Sequence, residues 1–223
     1  MFIATNIHKC YHRKEILRGV DLSAAPGECV GIIGGNGCGK TTLLSILAGA
    51  LKADEGTICL DGQDLRRSPA LCAKRVAYVP QENPLIEELT VMDNLLLWYG
   101  GSRKALERDL ESGPAAFLGL RPVIRQTAGK LSGGMKKRLS IACALSGHGS
   151  VLILDEPGAA LDLECKAQIR RYVKAYTAGG GTVILTSHET GELSMCTRMW
   201  ALKDGKLLPV EKNLSEEALI RYL

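Results

Sequence analysis

Residues 28–49 read Glu28-Cys29-Val30-Gly31-Ile32-Ile33-Gly34-Gly35-Asn36-Gly37-Cys38-Gly39-Lys40-Thr41-Thr42-Leu43-Leu44-Ser45-Ile46-Leu47-Ala48-Gly49. The stretch opens on apolar, β-compatible residues, crosses a run of glycines and closes on good helix formers, so it reads as buried strand, turn and helix. Its centre, 34–41, matches GxxxxGK[ST] in the strand-to-helix setting that gives that pattern meaning. Glycines let successive backbone N–H groups turn inward as an anion nest, and a helix starting near Lys40 points its positive end at a phosphate. Lys40 supplies a balancing charge, and the Thr41 hydroxyl is placed to ligate Mg²⁺.

Outward from this loop, 2–8 and 16–22 read as strands, with a turn at Ala25-Pro26-Gly27. Further strands are expected at 57–60, before an Asp61-Gly62 turn, and at 76–79, stopped by Pro80. From about 82 to 149 the spacing turns helical, around 95–99, 104–118 and 135–145. A fully apolar strand at 151–154, a helix at 163–176, a strand at 183–185 and a hairpin about Asp204-Gly205 follow, and Ser215 starts a last short helix. Strands alternating with helices predict an α/β fold with a mainly parallel sheet and an inserted helical portion, one domain over 1–223.

The 223 residues and 46% apolar content suffice for a real core, and 28 basic against 24 acidic residues leave a net charge of only +4. Unbroken apolar stretches such as 29–35 and 95–101 fall far short of the roughly 20 residues of a membrane span, so a soluble chain is expected. The N-terminus lacks the charged start and long apolar run of a signal peptide. None of the eight cysteines forms a CxxC pair or a zinc-ligand spacing, which predicts reduced thiols, mostly in the core. The basic runs Lys136-Lys137-Arg138 and Arg170-Arg171 read as solvated helix faces. With 4% aromatic residues, stacking on single strands and nucleic-acid binding are not favoured.

A second acidic element stands downstream, Val151-Leu152-Ile153-Leu154-Asp155-Glu156. A parallel strand buried on both faces delivers Asp155 to its carboxyl end, where open α/β sheets bind ligands, and there Asp155 can hold Mg²⁺ through water. Glu156 is the candidate general base for an attacking water.

Leu131-Ser132-Gly133-Gly134-Met135 goes beyond a generic phosphate-loop protein. With it the chain resembles the ATP-binding cassette (ABC) family, whose signature is LSGG, over essentially its whole length and in family order. The resemblance implies a P-loop NTPase core with an N-terminal antiparallel β subdomain and an inserted α-helical subdomain. It also implies ATP with Mg²⁺, bound by Gly34, Gly35, Asn36, Gly37, Cys38, Gly39, Lys40, Thr41 and Thr42. Tyr11 matches the aromatic residue that stacks on adenine, Gln81 the glutamine that meets Mg²⁺ and water, Asp162 the D-loop, and His188 the switch histidine. Ser132, Gly133 and Gly134 match the signature that faces the γ-phosphate on a second subunit. One phosphate loop and one signature per chain therefore imply a head-to-tail homodimer, or a heterodimer with another ABC ATPase.

Three positions depart from the family's usual spelling: Met135 for Gln, Gly35 for Pro and Ala159 for Ser. They put coupling between two sites in question and leave hydrolysis intact. Cys38, beside Lys40 at a helix start, is either a small residue tolerated in a tight loop or a thiol in a reactive setting. The resemblance further implies an ATPase subunit of a membrane transporter, peripheral at the cytoplasmic face of the cell membrane, with separate transmembrane permease subunits. The wording of 84–95 and of 135–139, and a chain that stops at Leu223 without a regulatory extension, favour an exporter over an importer. Leu85, Ile86 and Leu89 offer either an apolar dock for the membrane subunit or ordinary packing. The other class is a soluble ABC ATPase of the iron–sulfur assembly or cell-division type.

Overall fold

The computed structural model describes residues 1–82, 84–99, 102–146, 149–211 and 222. Two sheets organise it. Strands β1 (Phe2–Tyr11), β2 (Lys14–Ala24), β4 (Glu55–Leu60) and the two-residue β5 (Gln63–Asp64) form an antiparallel sheet in the order β2-β1-β4-β5. The other sheet contains β3 (Cys29–Ile33), β6 (Val76–Val79), β7 (Val151–Asp155), β8 (Thr182–Thr186), β9 (Arg198–Lys203) and β10 (Lys206–Val210). Its order is β10-β9-β3-β8-β7-β6, parallel throughout except for β10, which pairs antiparallel at one edge. The α/β fold with a mainly parallel sheet and an antiparallel β subdomain is as the sequence predicts.

Every residue of β3, β7 and β8 is buried, because this sheet is covered on both faces. Successive side chains on these strands enter opposite cores. Val30, Ile32, Val151, Ile153 and Ile184 join the antiparallel sheet and helix α1 (Lys40–Leu47) in one core. Cys29, Ile33, Leu152, Leu154, Val183 and Leu185 join the other core. That second core includes residues of α3 (Val91–Trp98), α4 (Arg103–Ser112), α5 (Pro114–Phe117) and α6 (Gly133–Leu145), all inserted between β6 and β7. It also takes in α7 (Leu163–Ala178) and α8 (Thr190–Leu193).

Helix α2 (Pro69–Arg75), β5 and α8 were not expected from the sequence. Ser68 followed by Pro69 at the first helical turn was the available signal for α2. The helix expected from Ser215 lies outside the described residues. None of the eight cysteines is in a disulfide, and Cys29, Cys72, Cys143, Cys165 and Cys196 are buried. Burial pushes the Cys143 thiol up to about 12, as suits a packing residue rather than a nucleophile. Among the described residues no helix is long and apolar enough to cross a membrane.

One expectation fails at a consequential place. Lys137 does not lie on a solvated face: it is 3% exposed. Lys136 pairs with Glu87, and Arg138 is half-buried with its guanidinium donating to Cys165 Sγ at 3.1 Å. The run 136–138 wraps around the start of α6, so three consecutive charges meet three different environments.

Candidate nucleotide site

The glycine loop leaves β3 at Gly34 and enters α1 at Lys40, squeezed between β2 and β9. A β-carbon on Gly39, whose φ is 110°, would meet Ile16 Cγ2 at 2.6 Å, and one on Gly34 would meet the Leu202 carbonyl oxygen at 2.7 Å. Both contacts demand glycine. Lys40 is buried along its stem, and its ammonium donates to the carbonyls of Gly34 at 2.7 Å and Gly35 at 3.3 Å. Two of three donors are used and one remains for an anion over the loop. Asn36, Gly37 and Thr41 are exposed beside it, and Cys38 and Thr42 are half-buried. The Cys38 thiol lies against Gly34, inside the loop, so a group attached there would occupy the cradle. N-ethylmaleimide is expected to slow turnover and ATP to protect; a Cys38→Ala variant equally sensitive to the reagent would exclude this residue as the target.

The acidic strand and two neighbours supply the other wall. In β6-β7-β8 the register pairs Val79 with Leu154, Leu154 with Leu185, and Asp155 with Thr186. Past these pairs the three strands release Gln81 two residues beyond Val79, Glu156 two beyond Leu154 and His188 three beyond Leu185, at the carboxyl edge of the sheet. His188 Nε2 stands 3.4 Å from Glu156 Oε1, and Gln81 Nε2 reaches Glu156 Oε2 at 3.5 Å, the outer limit of a hydrogen bond. The Glu156 carboxylate is thus bracketed by two groups expected from the sequence to act with it. Glu156 holds a positive φ of 46°, and its N–H is caught by the Thr186 carbonyl and hydroxyl at 3.2 and 3.0 Å.

Thr186 was given no role in the sequence, yet its hydroxyl serves both acids. It donates to Asp155 Oδ1 at 2.6 Å while accepting from the Glu156 N–H. Asp155 is 1% exposed and its second oxygen, Oδ2, has no hydrogen-bond partner. An orphaned buried carboxylate oxygen suits a hard cation. With the Thr41 hydroxyl and the Gln81 amide oxygen, whose NH₂ end is turned to Glu156, the donors present fit Mg²⁺. Among the described residues no group of three or more His, Cys, Asp and Glu forms a metal cage.

The signature segment stands apart from the glycine loop. Ser132 caps α6, its hydroxyl accepting from the Met135 N–H at 3.3 Å, and Ser132 and Gly133 are exposed. Helix α6 packs on α3, α5, α7 and β6, whereas α1 packs on β7. Gly134 is buried against α7, where an added β-carbon would lie 2.1 Å from Cys165 Sγ. Gly134→Ala is therefore expected to destabilise the chain by about 1–3 kcal/mol, read as a lowered Tm. Adding Cys165→Ala should recover much of that loss; no recovery would show that the contact is not the cause. Asp162 caps α7, its carboxylate accepting from the Cys165 N–H at 2.7 Å, so the D-loop and the signature helix meet at Cys165. Tyr11 ends β1 and is 45% exposed, with the Lys9 ammonium over its ring 5.6 Å from the centroid. Met135 packs against the second core, the role left to it without a polar head.

Sequence reasoning also missed Lys137 and Glu192. The Lys137 ammonium donates to the carbonyls of Pro80 and Gln81, both at 2.9 Å. Burial pushes its pKa down to about 8, against the opposing pull of Asp155 and Glu192. Glu192 is 1% exposed, and burial pushes its carboxyl up, opposed chiefly by the Ser187 hydroxyl. Helical spacing held the signal for Lys137: Gly134, Lys137, Ile141 and Leu145 share one buried face.

The family model described as ABC transporter matches residues 17–159. The chain is 36% identical over 203 residues to the Nod factor export ATP-binding protein I of Paraburkholderia xenovorans (strain LB400), covering 90% of this chain and 67% of that protein. It is 33% identical over 218 residues to the linearmycin resistance ATP-binding protein LnrL of Bacillus subtilis (strain 168), covering 94% and 68%. Its fold is similar to that of a solved dimeric post-hydrolysis state of the ATP-binding cassette MJ0796 bound to ADP and Pi. The TM-score is 0.85 at 27% identity, covering 96% of this chain and all of that one.

Proposed function

This chain belongs to the ABC transporter family, and from that premise we propose that it hydrolyses ATP as the motor subunit of an exporter whose membrane-spanning part is carried by separate permease chains. The observation that carries the chemistry is the Glu156 carboxylate, bracketed by His188 and Gln81 beside the glycine loop and the unpartnered Asp155 oxygen. Tyr11 stacks on adenine, and Lys40 with the N–H groups of 34–42 holds the phosphates. Mg²⁺ held by Thr41, Gln81 and Asp155 would neutralise charge on the β- and γ-phosphate oxygens. Glu156 accepts a proton from the attacking water, and Gln81 and His188 orient that water and the carboxylate. Ser132, Gly133, Gly134 and Asp162 of a second ABC chain, the same or a homologous one, close over the γ-phosphate.

The exporter reading rests on the relatives, of which one is named for Nod factor export and another for linearmycin resistance. Ile86, 47% exposed on the insert, supports an apolar dock for the permease, whereas Leu85 is packed partly into the core. The chain would then sit at the cytoplasmic face of the cell membrane without crossing it. A tagged chain expressed in its source cell should sediment with membranes and elute with a polytopic membrane protein that stimulates its ATPase. Recovery wholly in the soluble fraction, with no such companion, would return the chain to the soluble class of ABC ATPases.

A further inference from the structure

We infer that Lys137 is a positioning residue that latches the main chain at Pro80 and Gln81 to the first turn of the signature helix, so that a movement of Gly133-Gly134 is passed to the water-orienting glutamine. This deepens the reading above and rests on Gln81's part in it.

Residues 80–81 leave β6 and begin the connection to α3, the hinge point between sheet and insert. Their carbonyls lie beyond the last pair of the β6 ladder, and each accepts from the Lys137 ammonium at 2.9 Å. Lys137 stands one turn after Gly133, on the side of α6 that packs against β6. A single buried cation therefore ties the start of α6 to the segment that presents the Gln81 side chain to Glu156. A cation suits this place. One ammonium offers three donors from one point, enough to hold two carbonyls at once, and the buried carboxyls Asp155 and Glu192 provide opposite charge. Residues 80–81 and Gly134 otherwise meet separate structures: Gly134 leans on Cys165 of α7, while 80–81 follow directly on the last paired residue of β6, Val79. Among the described residues no other side chain hydrogen-bonds both carbonyls. The latch gives the two regions a shared, short connection with little slack.

The test uses the full chain carrying Lys137→Met, which keeps the stem and removes the donors. Amide hydrogen exchange by mass spectrometry should rise several-fold at 80–86 and stay unchanged in α1. Affinity for a fluorescent ATP analogue without Mg²⁺ should stay within about threefold, since the glycine loop is untouched. With Mg²⁺, kcat should fall about tenfold or more at nearly constant KM, because small misplacements of an orienting group are costly. Lys137→Arg should restore both exchange and kcat. Unchanged exchange at 80–86, or a rise spread evenly over α1 and the whole core, would overturn the latch. Gln81→Ala separates the two claims. If it leaves kcat at the wild-type value while Lys137→Met raises exchange, the role of Gln81 fails and the latch stands. Should Lys137→Met not fold, Lys137→Gln, which removes the cation and shortens the reach to both carbonyls, decides by the same readings.

Discussion

Glu156→Gln is expected to lower ATP turnover at least about a hundredfold, the usual scale for losing a general base, while leaving ATP binding intact. The substitution keeps the size of the side chain and its contact with Gln81, and removes only the capacity to take a proton from water. The Thr186 bonds to the Glu156 N–H are untouched, so the positive φ of 46° and the direction of the side chain should persist. ATP would then bind and remain. Because Ser132 and Gly133 are exposed on a helix that packs on α3, α5, α7 and β6, whereas α1 packs on β7, a trapped ATP should hold two chains together head to tail. Gel filtration with ATP and Mg²⁺ should show a dimer, and without nucleotide a monomer. A variant that hydrolyses at the wild-type rate would remove Glu156 from catalysis, and one that binds ATP without changing size would remove the dimer.

Lys40→Met should act one step earlier and abolish the same dimer. Charge-assisted hydrogen bonds are worth about 1.5–3 kcal/mol each, so loss of the ammonium should weaken ATP binding by about a hundredfold. A second effect adds to it. The ammonium bridges the Gly34 and Gly35 carbonyls, and without it the loop loses the group that holds its shape. Titration with a fluorescent ATP analogue checks this directly. Affinity within threefold of wild type would show that the backbone nest alone suffices. The two variants separate cleanly: Glu156→Gln binds without turning over, and Lys40→Met does not bind.

Much of this site was legible in sequence because its parts are short and their order is fixed by strands. A buried run that ends in glycines or in two acids can go only to the carboxyl edge of a parallel sheet, and Lys40, Asp155 and Glu156 are found there. The parts that stayed hidden depend on contacts distant in the chain. Thr186 reads as an ordinary β-branched strand residue until its neighbour β7 is known. Lys137 reads as one of three surface charges, since composition rules place lysine outside. Helical spacing places it on the face of Gly134, Ile141 and Leu145, but its partners are the carbonyls of a segment 56 residues away in sequence, which no local pattern reports. The two-residue β5 is too short to show any period.

The alignment of β6, β7 and β8 bears on how such a chain can change. Gln81, Glu156 and His188 take their heights from hydrogen-bond register, and register is set within the sheet, not by the connections outside it. Segments joining these strands can lengthen, shorten or be exchanged while the catalytic edge keeps its dimensions. The insert between β6 and β7 is thus free to be re-tailored to a new membrane companion, with one restriction. On the latch proposed above, any replacement must still return a donor to the carbonyls at 80–81, or Gln81 would lose its tie to the signature helix.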